Sequence, residues 1–371
     1  MKRPSPLCCY LIVVALVAGQ SLCVGFGPPT LVARDFDETP LWPGQVRQLG
    51  RAVSLELEAK AALLLDVATH AVLYEKNAHQ RLAPASTTKI VTALVVLERG
   101  SLSDRVAVQA DDLRVGTFIG LSPGEVWRLE DLLYALLLPS DNAAALVMAR
   151  HIAGSEARFV QWMNERVADW GLRDTHFANP HGLDDPQQWS TASDLAQIAL
   201  HGLENPVFAR IVSTRERQAG GRWLVNLNQL LGTYEGAEGI KTGTTDLAGQ
   251  CLISVVRRRE GRALSIVLGS TDRYRDSQLL LDHYFATYRT VALGLGPKGL
   301  NRVLKPDGKE GVLVLQERRE VLLPRWRAPF LRVYRISSPS VALDGEGAAG
   351  VARFALGTAV LAELPMYVVA P

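Results

Sequence analysis

Strand-like segments stand at both ends of a long helical region in this sequence, and that order is what most limits its fold. Residues 62–66 and 71–74 have the short apolar runs of paired strands, and residues 250–256 and 263–269 have the same pattern much later. Apolar residues recur at helical spacing in between, as in residues 129–153. Because these distant strands need a common sheet, the sequence predicts one α/β or α+β domain whose sheet is completed from both ends of the region.

A second, β-rich domain is predicted at residues 291–371. Short alternating runs there are separated by Gly, Pro and charged turns, a texture typical of a small β domain. The chain has 371 residues, 48% of them hydrophobic, which is enough apolar material for more than one core. The first domain is therefore placed at residues 51–290, after an irregular, proline-bearing lead-in at residues 26–50.

The N-terminus has the arrangement of a secretory signal peptide. Lys2 and Arg3 precede an apolar run at residues 7–19, which is shorter than the roughly 20 residues that a membrane-spanning helix needs. We therefore expect residues 1–25 to be a signal peptide, removed on export to the periplasm, the cell wall or the extracellular space. A retained N-terminal anchor is the alternative.

Composition excludes several classes of function. The 40 basic and 38 acidic side chains leave a formal charge of +2, far from the basic excess that binds nucleic acids through their phosphates. Three of the four cysteines lie within the first 23 residues, so no disulfide framework is expected. The seven histidines form no zinc-binding pattern, and neither a metal nor another cofactor is predicted.

Two lysines of the first domain are unusually placed. Lys89 and Lys241 are the only lysines between Lys76 and Lys298, where arginine supplies the other positive side chains. Lys89 follows Ser86 by three residues on a helix predicted to be buried, so its amine lies one turn along the same face and reaches the hydroxyl. Burial and a second nearby cation lower a lysine pKa, and a neutral amine can take the serine proton. A helix cap followed by a snorkelling lysine is the structural alternative.

Two further clusters are candidates for the same site. Ser140-Asp141-Asn142 precedes a helical run, where an ordinary helix N-cap is the alternative interpretation. Lys241-Thr242-Gly243-Thr244 lies on a predicted strand, where the glycine would let a ligand approach the backbone and the hydroxyls and ammonium would hold a carboxylate. A sheet-edge lysine with solvent-facing threonines is the alternative there.

These three motifs in this order resemble those of the serine penicillin-recognising enzymes. Further segments narrow the resemblance to the D-alanyl-D-alanine carboxypeptidase family of low-molecular-mass penicillin-binding proteins, peptidase family S11. The resemblance covers about residues 55–290 and implies a serine β-lactamase/transpeptidase-like sheet with a helical subdomain. The segments that carry it are Leu73-Tyr74-Glu75-Lys76-Asn77, Pro84-Ala85-Ser86-Thr87-Thr88-Lys89, Asn179-Pro180-His181-Gly182-Leu183-Asp184, Ser190-Thr191-Ala192-Ser193-Asp194-Leu195-Ala196 and Gly239-Ile240-Lys241-Thr242-Gly243-Thr244-Thr245.

The resemblance implies an acyl-enzyme mechanism that needs no cofactor. In that family the first serine is the nucleophile and its partner lysine is the general base, which correspond to Ser86 and Lys89. The serine of the second motif relays a proton to the leaving group, and its asparagine holds the substrate amide. These two residues correspond to Ser140 and Asn142.

The third motif is expected to bind the substrate's terminal carboxylate through Lys241 and Thr242, with Thr244 as a further substrate contact. The backbone amides of Ser86 and Thr244 are expected to form the oxyanion hole. The implied substrates are peptidoglycan stem peptides that end in D-Ala-D-Ala, and β-lactam antibiotics are the implied covalent inhibitors.

Other functions remain open at this point. A D,D-endopeptidase that cuts cross-links uses the same residues, and a catalytically silent wall-binding or β-lactam-sensing protein is a further alternative. A class A β-lactamase is disfavoured because no Glu-x-x-x-Asn motif occurs between Ala143 and Ile240. Members of the family are often held to the membrane by a C-terminal amphipathic helix, and none follows Ala370-Pro371, so attachment through that end is not expected.

Overall fold

The predicted signal peptide lies outside the residues that the structure describes. Within the lead-in predicted to be irregular, Leu31–Ala33 forms a short strand, and the rest of that segment also lies outside the described residues. The structure is a computed structural model that describes residues 31–33, 55–296, 298–305, 308–337 and 347–371.

Strands and helices alternate along the first two thirds of the chain, and strands dominate the last third. The strands are β1 (Leu31–Ala33), β2 (Ala61–Asp66), β3 (Val72–Lys76), β4 (Arg105–Ala107), β5 (Val126–Arg128), β6 (Glu216–Ala219), β7 (Arg222–Val225), β8 (Ala237–Thr245), β9 (Gly249–Arg258), β10 (Gly261–Ser270), β11 (Tyr288–Ala292), β12 (Arg302–Leu304), β13 (Glu310–Leu315), β14 (Glu320–Pro324), β15 (Leu331–Ser337), β16 (Gly350–Leu356) and β17 (Ala359–Val369). The α-helices are α1 (Lys89–Arg99), α2 (Leu129–Leu137), α3 (Asn142–Ala153), α4 (Glu156–Asp169), α5 (Ala192–Glu204), α6 (Pro206–Val212), α7 (Leu230–Thr233) and α8 (Arg273–Thr287).

A five-stranded antiparallel sheet with the order β3-β2-β10-β9-β8 is the centre of the first part of the fold. Strand β2 pairs with β10 so that Leu63 lies opposite Ile266, although the two residues are far apart in the sequence. This pairing confirms the prediction of one sheet completed from both ends of the region. A hairpin turn joins strands β9 and β10.

Alternate side chains of this sheet enter two different apolar layers, as the two-residue period of a strand requires. Leu63 and Leu65 pack in the larger hydrophobic cluster, to which helices α1 to α5 contribute. Leu64 packs in the other cluster with Leu280 and Leu281 of α8. The sheet is therefore covered on both faces, with the helical subdomain on one side and α8 on the other.

The sequence placed Ser86 and Lys89 on one helix, but Ser86 lies in a 3₁₀ turn at Ala85–Thr88 that precedes helix α1. Ala85 has a φ of 48°, in the left-handed region, and this conformation interrupts a right-handed helix. The Thr87 amide closes the tighter turn on the Pro84 carbonyl oxygen at 3.2 Å. Helix α1 itself is buried on all sides over residues 90–96, as predicted.

The predicted helical stretch 129–153 is two helices. Helix α2 ends at Leu137, and Pro139 just beyond it has no amide hydrogen with which to continue the helix. Asp141 then accepts a hydrogen bond from the Ala144 amide at 2.8 Å, which is the N-cap that starts α3. The break places Ser140 in a short connection between two buried helices.

The described residues form two compact units. The second unit is built on a six-stranded sheet with the order β1-β15-β16-β17-β13-β12, in agreement with the predicted β-rich region. Residues 319–329 belong to the first unit, although the sequence placed all of residues 291–371 in the second domain. The reason is that β14 pairs with β11, the strand that directly follows α8.

Candidate active site

Ser86 and Lys89 lie together where the 3₁₀ turn passes into α1. The Nζ atom of Lys89 is 2.8 Å from Ser86 Oγ, which agrees with the contact predicted from their spacing. The exposed fraction of Lys89 is 0%. A snorkelling lysine would carry its ammonium to solvent, so that alternative does not describe Lys89.

Three oxygen atoms surround the Lys89 amine. They are Ser86 Oγ at 2.8 Å, Asn142 Oδ1 at 2.7 Å and the carbonyl oxygen of His181 at 2.5 Å. Burial, followed by the positive charge of Lys241, lowers the pKa of Lys89 well below its usual value. A neutral amine has two hydrogens and one lone pair, so it can donate to Asn142 and His181 and accept the hydrogen of Ser86. These surroundings suit a base that receives the serine proton.

Ser140 occupies the connection between α2 and α3 with a φ of 65°. Its side chain is buried, and its Oγ has no hydrogen-bond partner among the described residues. A buried hydroxyl without a partner is costly, and a ligand or water at this position would remove the cost. Ser140 is therefore oriented toward a site that the chain itself does not fill.

Asp141 fixes this connection from behind. Its Oδ1 caps α3, and its Oδ2 accepts hydrogen bonds from Thr117 Oγ1 at 2.7 Å and from the Phe118 and Ile119 amides at 2.6 and 3.1 Å. The carboxylate is fully buried. The loop around Phe118 is thereby tied to the turn that carries Ser140. The N-cap predicted as an alternative for this motif is thus present, and it is Asp141 that forms it.

Lys241 and Thr242 are both buried on β8. The Nζ atom of Lys241 donates to the Thr242 carbonyl oxygen at 3.1 Å. Burial, followed by the positive charge of Arg273, lowers the pKa of Lys241 to about 7. Lys241 does lie on an edge strand, but Thr242 is buried beside it, so only Thr244 is the solvent-facing threonine of the alternative interpretation.

Gly243 lets β8 pack closely against the turn that holds Ser86. A Cβ atom at this position would lie 3.0 Å from the Ala85 Cβ and 3.0 Å from the Ser86 amide nitrogen. The sequence predicted that this glycine admits a ligand to the backbone, but the space beside it is occupied by residues 84–86. The glycine instead brings the Ser86 amide next to the strand that carries Thr244.

Arg273, the first residue of α8, reaches across the end of β8. It donates to the Gly243 carbonyl oxygen at 2.9 Å and to the Cys251 carbonyl oxygen at 3.1 Å, and it also contacts Thr244 Oγ1. Sequence analysis missed this residue. A signal was present, because a cation in the first turn of a helix is disfavoured by the helix dipole and so suggests another role.

The segment around His181 forms the floor below Lys89. Asn179 Oδ1 accepts a hydrogen bond from the Gly182 amide at 2.7 Å, and this turn points the His181 carbonyl at the lysine. Burial, followed by the charges of Lys89 and Arg114, lowers the pKa of His181 to about 3, so its ring is neutral at neutral pH. The contact of the His181 carbonyl oxygen with Lys89 was not predicted from the sequence.

These elements enclose a cavity of about 340 Å³, which we call the Ser86 cleft. Thr242, Thr244, Ser86 and Ser140 all line it, so the cleft collects the predicted serine and threonine residues in one place. Lys89 and Asn142 lie beneath Ser86 through the contacts given above. The residues lining the cleft that sequence analysis did not single out are Phe118, Leu227, Gln229, Gln250, Arg273 and Tyr274.

No cluster of His, Cys, Asp or Glu suited to a metal ion occurs in the described part of the chain. The basic side chains of the site are Lys89, Lys241 and Arg273. Among residues 31–33, 55–296, 298–305, 308–337 and 347–371, no helix has the length and apolar character needed to span a membrane.

The geometry agrees with comparisons to known proteins. The D-alanyl-D-alanine carboxypeptidase DacF of Bacillus subtilis (strain 168) is 36% identical over 279 residues, which are 71% of this chain and 72% of that protein. The D-alanyl-D-alanine carboxypeptidase DacC of Escherichia coli (strain K12) is 31% identical over 357 residues, which are 88% of this chain and 83% of that protein.

The similarity extends to solved structures and to a family model. The crystal structure of penicillin binding protein 5 from Haemophilus influenzae has a TM-score of 0.68 and 26% identity, and the match covers 86% of this chain and 99% of that one. The family model described as D-alanyl-D-alanine carboxypeptidase, Peptidase_S11, matches residues 48–272, which contain every residue of the Ser86 cleft except Arg273 and Tyr274. The chain therefore belongs to the D-alanyl-D-alanine carboxypeptidase family, peptidase family S11.

Proposed function

We propose that this protein is a serine-type D-alanyl-D-alanine carboxypeptidase that removes the terminal D-alanine from peptidoglycan stem peptides. The observation that carries the proposal is the fully buried Lys89 amine, 2.8 Å from the hydroxyl of Ser86. A buried amine of lowered pKa beside a serine is the arrangement that activates a hydroxyl nucleophile. The comparisons with D-alanyl-D-alanine carboxypeptidases support the same activity.

Acylation follows from this pair. Ser86 Oγ attacks the carbonyl carbon between the two D-alanines while its proton passes to Lys89 Nζ. The negative charge that develops on the carbonyl oxygen is stabilised by the backbone amides of Ser86 and Thr244. The close approach of the Ser86 amide to Gly243 supports this pairing of donors from two elements.

The leaving group and the hydrolysis step use the second motif. When the C–N bond breaks, the amine of the departing D-alanine takes a proton through Ser140, whose Oγ has no other partner in the described residues. Asn142 holds the substrate amide and also accepts a hydrogen bond from Lys89. Water then attacks the ester carbonyl, with Lys89 again as the base, and this releases the shortened peptide.

The terminal carboxylate of the substrate binds along β8. Lys241 supplies a buried positive charge and Thr242 a hydroxyl, and Thr244 of the same strand also lines the cleft. Arg273 adds a second positive charge next to Thr244. Charge-assisted hydrogen bonds of this kind are about twice as strong as neutral ones, so a free C-terminus is preferred. Binding of a carboxylate by Lys241 and Thr242 also explains acylation by β-lactams, because the β-lactam carboxylate would occupy the position of the substrate's terminal carboxylate.

The test is release of free D-alanine from a pentapeptide that ends in D-Ala-D-Ala. We expect the purified protein to release it and Ser86→Ala to release none and to lose covalent labelling by a fluorescent penicillin. Ser122→Ala is the matched control. It removes an exposed serine hydroxyl that does not line the Ser86 cleft, and it should retain both D-alanine release and penicillin labelling. Labelling of Ser86→Ala at the wild-type rate would place the nucleophile elsewhere.

A parallel assay separates the neighbouring functions. A cross-linked peptide dimer measures D,D-endopeptidase activity under the same conditions. Faster cleavage of the dimer than of the pentapeptide would show that the main activity is that of an endopeptidase and not of a carboxypeptidase. Penicillin labelling without cleavage of either substrate would instead identify a catalytically silent binder.

We infer further that the enzyme acts outside the cytoplasm, where its peptidoglycan substrate is located. The basic and apolar N-terminal sequence supports a signal peptide at residues 1–25. N-terminal sequencing of the protein recovered from the cell envelope tests this inference. A mature N-terminus at or near residue 26 is expected, and an intact Met1 in the cytoplasmic fraction would contradict it.

A further inference from the structure

The hairpin of β6 and β7 and the bend just after it carry exposed apolar side chains. Trp223, Val225 and Leu227 have exposed fractions of 64%, 52% and 49%, and the residue at position 224 between the first two is buried. Across the hairpin, Gln218 pairs with Trp223 and Glu216 pairs with Val225, so these two polar residues lie on the same face. We call these five residues the Trp223 face.

Packing of the hairpin does not require the Trp223 face. The opposite face is the one that anchors it: Leu224 is fully buried, Arg217 pairs with Asp131 at 3.0 Å, and Arg222 pairs with Glu125 at 2.7 Å. In the described part of the chain no ring or cation stacks on the Trp223 indole. Keeping a tryptophan and two aliphatic side chains in water is unfavourable, so their exposure points to a binding surface.

The Trp223 face continues directly into the Ser86 cleft. Leu227 lines the cleft together with Ser86 and Ser140. Its amide donates to the Leu138 carbonyl oxygen at 3.2 Å, and its carbonyl oxygen accepts from the Tyr274 hydroxyl at 2.8 Å. Leu227 is therefore held in place two residues beyond the end of β7, and it links the exposed side chains of the hairpin to the cleft.

We propose that the Trp223 face binds the glycan strand to which the stem peptide is attached, an inference that rests on the proposed function. The C–H face of a sugar ring carries partial positive charge and packs on the negative face of an indole ring. The Gln218 amide and the Glu216 carboxylate beside it offer hydrogen bonds to sugar hydroxyls and N-acetyl groups. A stem peptide that enters the Ser86 cleft brings its glycan strand to the adjacent surface.

The surroundings favour a glycan over the other occupants of an exposed apolar face. A lipid surface is bound by apolar side chains flanked by lysine and arginine, whereas the polar members of the Trp223 face are a glutamine and a glutamate. A second copy of this chain would cover the entrance to the Ser86 cleft through Leu227. Because the Trp223 face is continuous with the Ser86 cleft, we expect it to bind the glycan strand that carries the stem peptide.

The test compares two substrates that carry the same pentapeptide, one as the free peptide and one on soluble, uncross-linked peptidoglycan strands. We expect Trp223→Ala to lower the ratio of kcat/KM on the strands to kcat/KM on the free peptide by about threefold to tenfold, as the loss of one aromatic stacking contact implies. Trp223→Tyr should restore most of the ratio, because it keeps an aromatic platform. Val360→Ala, which shortens another exposed apolar side chain in the second unit, is the control.

Binding to insoluble peptidoglycan provides a second measurement. Ser86→Ala protein should bind insoluble peptidoglycan more tightly than Ser86→Ala/Trp223→Ala protein, and Gln218→Ala should weaken binding by a smaller factor. An unchanged substrate ratio in Trp223→Ala would overturn the proposal. If Trp223→Ala instead lost binding to phosphatidylglycerol vesicles, or lost the ability to form a dimer, with no change in the ratio, the face would bind a membrane or a second copy and the proposal would also be wrong. Absence of D-alanine release from both substrates by the wild type would contradict the proposed function instead.

Discussion

Lys89 and Lys241 are both buried, but their surroundings suit different tasks. The Lys89 amine contacts three oxygen atoms, one of them on Ser86. The Lys241 amine contacts only a backbone carbonyl oxygen in the described residues and lies near the positive charge of Arg273. The first arrangement serves proton transfer, and the second leaves an ammonium free to receive an anion.

Substitution of Lys89 by arginine should be nearly as damaging as substitution by alanine. A guanidinium keeps the positive charge, but it does not lose its proton in a protein and so cannot act as the base. We expect Lys89→Arg to reduce the rate of acylation by on the order of a thousandfold, within the ~10²–10⁴ range of general base catalysis. The measurement is stopped-flow labelling by a chromogenic β-lactam. An arginine variant within a few fold of wild type would exclude the neutral-lysine mechanism.

The pH profile of kcat/KM should distinguish the two lysines. Lys89 must be unprotonated to act, so activity rises with pH through its lowered pKa. Lys241 must be protonated to bind a carboxylate, so activity falls as pH rises through its pKa of about 7. In Lys241→Arg the guanidinium stays charged, and we expect the alkaline decline to move to higher pH.

The control for this prediction is a substrate whose terminal carboxylate is amidated. Lys241→Ala should weaken turnover of the free acid far more than that of the amide, with a coupling energy of about 1 to 3 kcal/mol. If both substrates lose activity equally, Lys241 acts mainly by lowering the pKa of Lys89.

At the scale of elements, the site depends on how closely β8 approaches the 3₁₀ turn. Gly243 is the point of contact, and an added Cβ would meet the Ala85 Cβ and the Ser86 amide at 3.0 Å. Both neighbours belong to the turn that positions the nucleophile. A side chain here would separate the two halves of the oxyanion hole rather than disturb the hydrophobic core.

Gly243→Ala should therefore impair catalysis more than stability. We expect kcat/KM to fall by about tenfold to a hundredfold, because displacements of about 1 Å in a catalytic site have effects of that size. Thermal unfolding should change by only a few degrees. Gly232→Ala is the matched control, since nothing lies within 4 Å of its Cβ position. Wild-type activity in Gly243→Ala would show that the 3₁₀ turn can shift to make room for the methyl group without loss of activity.

At the scale of the whole molecule, the first unit is closed by contacts between distant parts of the chain. Asp66, at the end of β2, is fully buried and accepts hydrogen bonds from the Tyr284 hydroxyl and from the Thr69 amide and hydroxyl. Tyr284 lies on α8, 218 residues later. The carboxylate thus joins the first hairpin to the last helix of the unit.

Asp66→Ala should destabilise the fold without changing the chemistry of the Ser86 cleft. Removal of the acceptor leaves the buried Tyr284 hydroxyl without that partner, at a cost of about 2 to 4 kcal/mol in the free energy of unfolding. Urea unfolding of the wild type, Asp66→Ala and the exposed control Asp246→Ala measures this difference. A change below about 0.5 kcal/mol, the range of ordinary surface substitutions, would show that the network contributes little.

Local patterns in the sequence were sufficient to predict much of this protein. The β2–β3 and β9–β10 hairpins and helices α1 to α3 follow from apolar periodicity, since each of these elements buries its own apolar face. The Ser86–Lys89 contact follows from one helical turn, and the three motifs together indicated the family. These features depend on residues that are near one another along the chain.

The tertiary structure decided what depends on contacts between distant residues. Arg273 and the His181 carbonyl reach the site only through the packing of α8 and of residues 179–182. Residues 319–329 join the first unit because β14 completes a ladder with β11. The left-handed φ of Ala85 and of Ser140 was likewise not predicted from the sequence. Periodicity records which face of an element is buried, but it carries no information about which distant group is buried against it.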